Sequence, residues 1–574
     1  MMSNKIKGSE ILMRALIDQG VDKVFGYPGG QIMPVYDSLY DYSDKIHHYL
    51  ARHEQGAIHA AEGFARASGK TGVVIATSGP GAMNLITGLN DALMDSTPIV
   101  AITGQVPSSL LGKDAFQESD VVSVTLPVTK WSTLVKQAED IAPAIAKAFY
   151  IANSGRPGPV VIDIAKDAQV GLAEYKHAYC NFIRSYDPNP DIKESQIEAA
   201  AELLNNAERP MILSGHGVTI SNASNELIEL AEKADIPVAC TIHGLSTIPS
   251  CHHLNKGLLG MHGNLGPNIN TNKADVILAV GMRFDDRVTG DTKKYAPDAK
   301  IIHIDIDASE FNKTVGSHIH IHGDAKTALS ALLPFVNRQK HEAWVSSFDR
   351  HNKVEYDRVK KPELYPDNED GKMHMGEVVN KVSKAFNHDA VLVTDVGQNQ
   401  MFSVRYFNFT SPRSCITSGG LGTMGFGLPA SIGAKIAVPD REVVLFVGDG
   451  GLQMTVEELG MIMEYNIGVK IVLLNNNYLG NVRQWQELFF NSRYSATPMT
   501  NPNFIALANA YGISGEDVAH RDNLDAAIER MKNHKGAYIL NVNIEEMGMI
   551  FPMTPGGHGV DEILLNSTEY YKPV

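Results

Sequence analysis

The sequence predicts an α/β protein made of three doubly wound, parallel-sheet domains. Short Val- and Ile-rich runs, such as residues 72–77, 159–164 and 443–447, alternate with helix-length stretches along the chain. Runs that are apolar throughout are typical of parallel strands, because helices cover such sheets on both faces. The length of 574 residues exceeds what one hydrophobic core accommodates, so we expect several domains.

Two polar interruptions set the expected domain boundaries. Residues 184–194 read RSYDPNPDIKE and are rich in proline, whereas residues 337–372 are strongly charged. We interpret the first as a linker and the second as a solvated helix plus a linker. The predicted domains therefore cover residues 1–183, 190–336 and 372–574. A single sequence leaves open whether the first and third domains are related.

The composition is that of an ordinary cytoplasmic globular protein. Hydrophobic residues make up 44% and charged residues 20%, and the net charge is −15. Nucleic acid is not an expected partner, because surfaces that bind it are basic. No membrane association is expected either, since no apolar run is long enough to span a bilayer. Four cysteines without metal-ligand spacing and an N-terminus without a signal-peptide pattern indicate a reducing, cytoplasmic location.

The third domain holds the most specific motif. Gly448, Asp449 and Gly450 follow the strand-like run EVVLFV, and three asparagines follow the next such run, VKIVLL. Asp449 and Asn476 are 27 positions apart, and one βαβ crossover of about 30 residues brings the ends of two parallel strands together. A carboxylate, an amide oxygen and the backbone carbonyl of Tyr478 suit Mg²⁺, with diphosphate oxygens completing its shell. A GDG sequence alone is more often a plain turn.

A glutamate opens a helical pattern in the first domain. Glu54 lies in the sequence RHEQ, residues 52–55. Taken alone, a glutamate at this position is usually a charge favoured by the helix dipole. The segment ATSGPG follows at residues 76–81. The order RHEQ, ATSGPG, GDG and NNN is far more specific than any one of these motifs.

These motifs resemble, in this order, those of thiamine-diphosphate-dependent enzymes. From Gly8 to about Asp561, the chain resembles the acetohydroxyacid synthase (acetolactate synthase) family. The supporting segments are VFGYPGG (24–30), DAFQE (114–118), SGRPGPV (154–160), LGMHG (259–263), GMRFDDR (281–287) and RQWQ (483–486).

The resemblance implies three cofactors, namely thiamine diphosphate, Mg²⁺ and an FAD used without its redox chemistry. It assigns Glu54 to the aminopyrimidine ring, and Asp449, Asn476 and Tyr478 to Mg²⁺. Further positions implied for thiamine diphosphate are Val396, Gly397, Gln398, Gly422, Met424, Gly448, Gly450, Gly451 and Gly480. Those implied for FAD are Arg156, Gly215, Gly217, Leu259, Gly260, Met261, His262, Gly281, Arg283, Asp285, Asp305 and Asp324.

The resemblance also implies the reaction. The enzyme would decarboxylate pyruvate and ligate the hydroxyethyl group to a second pyruvate or to 2-ketobutyrate, in branched-chain amino acid biosynthesis. Arg287 would grip the second keto acid and Trp485 would favour the larger side chain, although alone they read as a surface ion pair and a core aromatic. The catalytic positions Gly30 and Gln117, with Phe116 and Lys166, would line the path to the reacting carbon.

Partners and alternatives follow from the same resemblance. It implies a homodimer or homotetramer with sites at the subunit interface, and a small regulatory subunit is common in the family. The alternatives are an FAD-dependent enzyme of the pyruvate oxidase type, an FAD-independent catabolic acetolactate synthase, and a non-catalytic thiamine-fold regulator. Three residues depart from the family pattern: Asn399 stands where His is usual, Asn481 where Met is common, and Gly451 where a small polar residue is usual.

Overall fold

Three six-stranded parallel sheets form the framework of the protein. The structure, a computed structural model, describes residues 5–368 and 370–572. It confirms the predicted α/β class, and each Val/Ile run named above forms a strand. Residues 1–4 and 573–574, at the outer ends of the expected terminal domains, lie outside the described residues. The predicted domain boundaries stay a prediction.

Strands and helices alternate through the N-terminal part of the chain. In order they are β1 (Lys5–Lys7), α1 (Gly8–Asp18), β2 (Lys23–Gly26), α2 (Met33–Asp41), β3 (His47–Leu50), α3 (Glu54–Ser68), β4 (Gly72–Ala76), α4 (Pro80–Met83), α5 (Ile86–Met94), β5 (Ile99–Gln105), α6 (Val121–Thr125), β6 (Trp131–Val135), α7 (Ile141–Asn153), β7 (Pro159–Ala165), α8 (Lys166–Val170) and β8 (Leu172–Glu174). The first sheet has the order β3-β2-β4-β5-β7-β6, and β1 pairs with β8 separately. Alternate residues of β4 pack against helices on opposite faces, which is why this run is apolar throughout.

The middle sheet has a different strand order. Its elements are α9 (Glu194–Asn205), β9 (Pro210–Ser214), α10 (His216–Ile220), α11 (Ser224–Ala234), β10 (Val238–Cys240), β11 (Asn255–Leu258), α12 (Leu265–Thr271), β12 (Val276–Val280), α13 (Asp286–Thr289), β13 (Lys300–Asp305), β14 (Ile319–His322) and α14 (Ala325–Leu332). The order is β11-β10-β9-β12-β13-β14. The strand order reverses between β9 and β12, and doubly wound folds of this order bind dinucleotides at that point.

The charged segment 337–372 is more than a solvated connection. It contains α15 (Glu342–Glu355), a π-helical turn (Tyr356–Lys360) and α16 (Lys361–Leu364). Trp344 and Phe348, one helical turn apart, are buried in the apolar cluster beneath the middle sheet, and α15 packs on α12. The expectation of a solvated helix is therefore wrong for α15, because its inner face, which carries Trp344, Phe348 and Glu355, is buried.

The third sheet repeats the topology of the first. Its elements are α17 (Met375–Ala385), β15 (Val391–Thr394), α18 (Gln398–Tyr406), β16 (Cys415–Ile416), α19 (Gly427–Ala437), β17 (Val443–Gly448), α20 (Asp449–Gln453), α21 (Leu459–Tyr465), β18 (Lys470–Asn475), α22 (Gly480–Phe489), α23 (Phe504–Ala510), β19 (Ser514–Val518), α24 (Leu524–Asn533) and β20 (Tyr538–Asn543). The order is β16-β15-β17-β18-β20-β19. Numbering the strands of each sheet by chain position gives 2-1-3-4-6-5 for both.

Helices α3 and α19 join the first and third sheets into one hydrophobic core. Val74 of β4 and Val393 of β15 belong to the same buried cluster. The helices cross at their backbones: a Cβ on Gly63 would lie 1.9 Å from the carbonyl oxygen of Ala430, and a Cβ on Gly433 would lie 1.8 Å from that of Ala60. Only glycine permits this separation. None of the helices in the described part of the chain is long and apolar enough to cross a membrane.

Candidate cofactor and substrate site

The metal-type motif lies at the carboxyl ends of two neighbouring strands, as the spacing predicted. Strand β17 ends at Gly448 and pairs in parallel with β18, so Asp449 and Asn476 come to the same edge of the sheet. Asp449 is 1% exposed and Asn476 is 4% exposed. Burial raises the pKa of Asp449, although a hydrogen bond from Asn501 acts in the opposite direction. A cation beside Asp449 would compensate this buried charge.

Asn501 is a member of this cluster that sequence reasoning missed. Its amide nitrogen donates to Asp449 Oδ2 at 2.6 Å and to the Oδ1 atoms of Asn475 and Asn477 at 3.1 Å each. The residue comes from a loop beyond α22, in the unremarkable sequence TNPNF. No local pattern marks it, because its partners lie 24 to 52 residues away in sequence.

A small cavity of about 60 Å³ adjoins the metal-type motif. Eleven of the thirteen positions predicted for thiamine diphosphate line it, the exceptions being Glu54 and Gly422: Val396, Gly397, Gln398, Met424, Gly448, Asp449, Gly450, Gly451, Asn476, Tyr478 and Gly480. Gly397 has a φ of 121°, which lets the loop turn sharply into α18. Asn399 and Asn481, the residues that depart from the family pattern, also line this cavity.

Three buried amide oxygens at this cavity have no hydrogen-bond partner within the described residues. They are Gln398 Oε1, Asn399 Oδ1 and Asn481 Oδ1. The amide nitrogens of two of them are engaged: Gln398 Nε2 donates to Gln484 and to the carbonyl of Gly548, and Asn399 Nδ2 donates to the carbonyl of Val396. Because unpaired buried polar atoms are costly, the cavity is suited to a polar ligand.

A larger cavity of about 530 Å³ opens at the switch point of the middle sheet. Ten of the twelve positions predicted for FAD line it: Arg156, Gly217, Leu259, Met261, His262, Gly281, Arg283, Asp285, Asp305 and Asp324. The other two, Gly215 and Gly260, do not line the cavity but pack behind residues that do. The backbone of Gly215 contacts Gly281, and that of Gly260 contacts Arg287. Asp285 and Asp324 also cap α13 and α14.

Arg287 and Trp485 meet at the rim of the larger cavity, which Gly422 also lines. The guanidinium carbon of Arg287 lies 6.0 Å from the centre of the Trp485 ring. The Arg287 side chain is 60% exposed, and its Nε is 3.8 Å from Asp286, so its ion pair is weak. Trp485 is half-buried rather than a core aromatic. Both side chains therefore remain free to contact a ligand.

The predicted catalytic and substrate-binding residues of the first domain lie apart from both cavities. Glu54 starts α3, is 8% exposed, and accepts a hydrogen bond from Asn84 Nδ2 at 2.9 Å. Lys166 Nζ donates to the carbonyl of Gly30 at 3.3 Å. Gln117 has a φ of 60° and packs on the 76–81 loop, whereas Phe116 is 85% exposed. Within residues 5–368 and 370–572 of one chain, none of the residues Glu54, Gly30, Lys166, Gln117 and Phe116 lines either cavity.

Asp95 links all three domains beneath the larger cavity, and sequence reasoning missed it. Its carboxylate accepts the N–H groups of Gly419 at 3.0 Å and Gly420 at 2.7 Å, in the loop that leads to Gly422. His243 of the middle domain lies 2.9 Å from the same carboxylate, and Arg66 lies 3.2 Å from it. Burial raises the pKa of Asp95, but His243 and Arg66 outweigh burial and lower it.

Comparisons with known proteins identify the family of this chain. Family models described as the N-terminal TPP binding domain, the central domain and the C-terminal TPP binding domain of thiamine pyrophosphate enzymes match residues 6–124, 197–332 and 395–542. The chain is 42% identical to the acetolactate synthase isozyme 3 large subunit of Escherichia coli K12, over 98% of this chain and 99% of that protein.

Two further relatives extend this similarity. The chain is 43% identical to the isozyme 2 large subunit of Escherichia coli K12, over 97% of this chain and 99% of that protein. It is also 43% identical to a probable acetolactate synthase large subunit of Methanocaldococcus jannaschii, over 96% of this chain and 94% of that protein. The chain thus belongs to the thiamine pyrophosphate enzyme family and, within it, to the acetolactate synthase large subunits.

Proposed function

We propose that this chain is the catalytic subunit of an acetolactate synthase that uses thiamine diphosphate, Mg²⁺ and FAD. It decarboxylates pyruvate and joins the resulting two-carbon unit to a second pyruvate or to 2-ketobutyrate. The observation that carries the proposal is the placement of Asp449 and Asn476 at one sheet edge, beside a cavity with unsatisfied polar atoms.

The third domain fits the diphosphate end of thiamine diphosphate and its metal ion. Asp449, Asn476 and the carbonyl of Tyr478 offer the oxygen ligands that Mg²⁺ prefers. The N-terminus of α18, which follows Gly397, presents backbone N–H groups to the same cavity, and such groups favour anions. When bound, thiamine diphosphate supplies the electron sink that makes loss of CO₂ from a 2-keto acid possible.

The larger cavity fits FAD. It lies at the switch point of a doubly wound sheet, where dinucleotides bind, and its volume of about 530 Å³ suits a large ligand. Arg156 and Arg283 line it and supply positive charge for a diphosphate. Asp305, at the end of β13, offers a carboxylate to a ribose hydroxyl.

The active site is proposed to form between two chains. Glu54, Gly30 and Gln117 lie apart from the cavity that Asp449 lines in a single chain. A second copy of the chain supplies Glu54, Gly30 and Gln117 to this cavity if Glu54 of one subunit faces the metal motif of the other. The exposed Phe116 then becomes buried at the interface. This arrangement requires at least a homodimer, and a homotetramer is compatible with it.

Ligation rather than oxidation is supported by the rim of the larger cavity. A guanidinium group can hold the carboxylate of a second keto acid through two parallel hydrogen bonds, and the exposed Arg287 is free to do so. Trp485 beside it offers a flat apolar wall that contacts the longer side chain of 2-ketobutyrate. Lys166 and Gln117 would hold the first substrate and exclude water.

Two further expectations belong to this proposal. The relatives are named large subunits, which supports a small regulatory subunit as a partner of this chain. A cytoplasmic location is supported by four cysteines that form no disulfide within the described residues.

The test is to incubate the purified protein with pyruvate, thiamine diphosphate, Mg²⁺ and FAD under anaerobic conditions and to assay acetolactate. We expect acetolactate without any electron acceptor, and a loss of at least about 100-fold in Glu54→Gln, as for removal of an acid–base group. Acetate and CO₂ formed only with an oxidant would make the protein an oxidase and contradict the proposal.

A further inference from the structure

Glu458, a residue of the third domain, holds the backbone that leads into Glu54 of the same chain. Its Oε1 accepts the N–H of Arg52 at 3.0 Å and the N–H of His53 at 2.9 Å, and its Oε2 lies 3.1 Å from the Arg52 nitrogen. Arg52 and His53 immediately precede Glu54, which opens α3. The two contacts therefore fix the direction in which the chain enters this helix.

These contacts are buried and tightly packed. Glu458 is 0% exposed, so its hydrogen bonds do not compete with water. A Cβ on Gly56 would lie 2.1 Å from Glu458 Oε1, and the absence of that side chain lets the carboxylate approach. Burial raises the pKa of Glu458 to about 7, while the N–H groups of Arg52 and His53 act to lower it.

The rest of the segment is held by the same part of the third domain. The N–H of Leu50 donates to the Tyr465 hydroxyl at 2.8 Å, and Arg52 Nη2 donates to Glu464 Oε2 at 2.8 Å. The contact made by Glu458 differs from these two contacts in two respects. It is the contact nearest to Glu54 in sequence, and it is made by a fully buried side chain.

The position of Glu54 must be accurate for the role proposed for it. The rate of a reaction falls steeply when a group that transfers a proton to the reacting atoms, or forms a hydrogen bond with them, is misplaced. A shift of about 1 Å costs about 100-fold in rate. The Glu54 side chain itself has one hydrogen-bond partner within the described residues, Asn84. Its placement therefore depends on the backbone that precedes it.

We propose that Glu458 is a positioning residue for Glu54, acting through the backbone N–H groups of Arg52 and His53. The inference rests on the proposed role of Glu54 at the aminopyrimidine ring. A contact that only joins two domains would lower stability when it is removed, but it would leave the chemistry at Glu54 unchanged.

The test compares Glu458→Leu, which removes both acceptors, with Glu458→Gln, which keeps one oxygen for both N–H groups. Glu457→Gln is the matched control, because its side chain is partly exposed on the same turn and makes none of these contacts. Gly56→Ala is a second disruptive variant: it retains Glu458 in the sequence, but the added Cβ displaces the Glu458 carboxylate. This variant decides the question if Glu458→Leu does not fold.

Two measurements are made on each variant. Hydrogen–deuterium exchange of peptides covering residues 50–56 in the cofactor-free protein reports whether the segment is held. Exchange of the thiazolium C2 proton of bound thiamine diphosphate, followed by NMR after acid quench, reports what Glu54 does. We expect faster amide exchange, and C2 exchange slowed by about 100-fold, in Glu458→Leu and Gly56→Ala. Glu458→Gln should stay within about fivefold of the wild type, because a neutral acceptor replaces a charged one.

The inference is overturned if the disruptive variants keep wild-type amide exchange in residues 50–56, or if they keep wild-type C2 proton exchange. Glu54→Gln separates this failure from failure of the proposed function. If Glu54→Gln slows C2 exchange but the Glu458 and Gly56 variants do not, only the positioning role is wrong. If Glu54→Gln leaves C2 exchange unchanged, the proposed role of Glu54 itself is wrong, and the positioning role falls with it.

Discussion

Replacing Arg405 with methionine is expected to destabilise the junction between the middle and third domains. Arg405 and Glu355 form an ion pair in which both side chains are fully buried. Arg405 also donates to the carbonyls of His262 and Gly263, in the loop that walls the larger cavity. Breaking a buried pair by removing one partner costs about 3–5 kcal/mol, because the remaining charge is uncompensated.

The structure places the expected cost near the lower end of this range. Lys360 Nζ lies 3.5 Å from Glu355 Oε1 and retains part of the compensation when Arg405 is lost. Burial alone raises the pKa of Glu355, but Lys360 and Arg405 outweigh it and lower that pKa. We therefore expect Arg405→Met to lose about 3 kcal/mol. For domains of 150–250 residues, this corresponds to a fall in Tm of roughly 6–12 °C.

Calorimetry and an FAD titration test this reasoning together. Arg405→Met should lower Tm by the amount above and, if FAD occupies the larger cavity as proposed, weaken its binding, because the carbonyls of His262 and Gly263 lose their donor. Adding Glu355→Gln in the same chain should restore part of the Tm, since it removes the uncompensated charge. If the double variant is no more stable than Arg405→Met, the loss does not come from a buried charge and the reasoning is refuted.

Three further predictions concern the core, a buried acid and the substrate rim. Gly63→Ala places a Cβ 1.9 Å from a backbone oxygen of α19 and should lose about 1–3 kcal/mol by calorimetry, whereas Gly316→Ala, in open space, should lose nothing. Burial and Asp95 raise the pKa of Asp91, so the folded state keeps this proton after the unfolded chain has lost it. The contribution of this group to stability should therefore decrease as the pH rises above about 4, the ordinary pKa of an aspartate in the unfolded chain. The Tm of Asp91→Asn should fall less steeply than that of the wild type over this pH range, and parallel curves would count against this assignment. Trp485→Leu should shift the products of a pyruvate and 2-ketobutyrate mixture about tenfold toward acetolactate, measured by chromatography, and an unchanged ratio would remove Trp485 from substrate selection.

The strands could be predicted from the sequence because strands that are buried on both faces consist of apolar residues. Runs such as 72–77 are apolar at every position, and the structure shows why: alternate residues of β4 face two different clusters. The placement of Asp449 beside Asn476 also followed from the sequence, since one crossover fixes it.

Residues that act across domains could not be predicted in this way. Asp95 contacts Gly419, which is 324 residues away, and Glu458 contacts His53, which is 405 residues away. No local spacing records such contacts, because they arise only when three sheets have packed together. The docking of α15 was missed for a related reason. Trp344 and Phe348 lie four residues apart among many charged residues, and the charged composition of the segment predicted a solvated helix.

The crossing of α3 and α19 has the form of a two-fold symmetric contact inside one chain. Both helices connect the second strand of their sheet to the third, and the crossing pairs Ala60 with Gly433 and Gly63 with Ala430. Each helix thus contributes an alanine and, three residues later, a glycine, and each receives the same pair in return. Contacts of this reciprocal kind are typical of homodimers. Here the two halves share one chain but not one sequence, so one half could take up metal-type ligands and the other a glutamate while the symmetric crossing stayed intact.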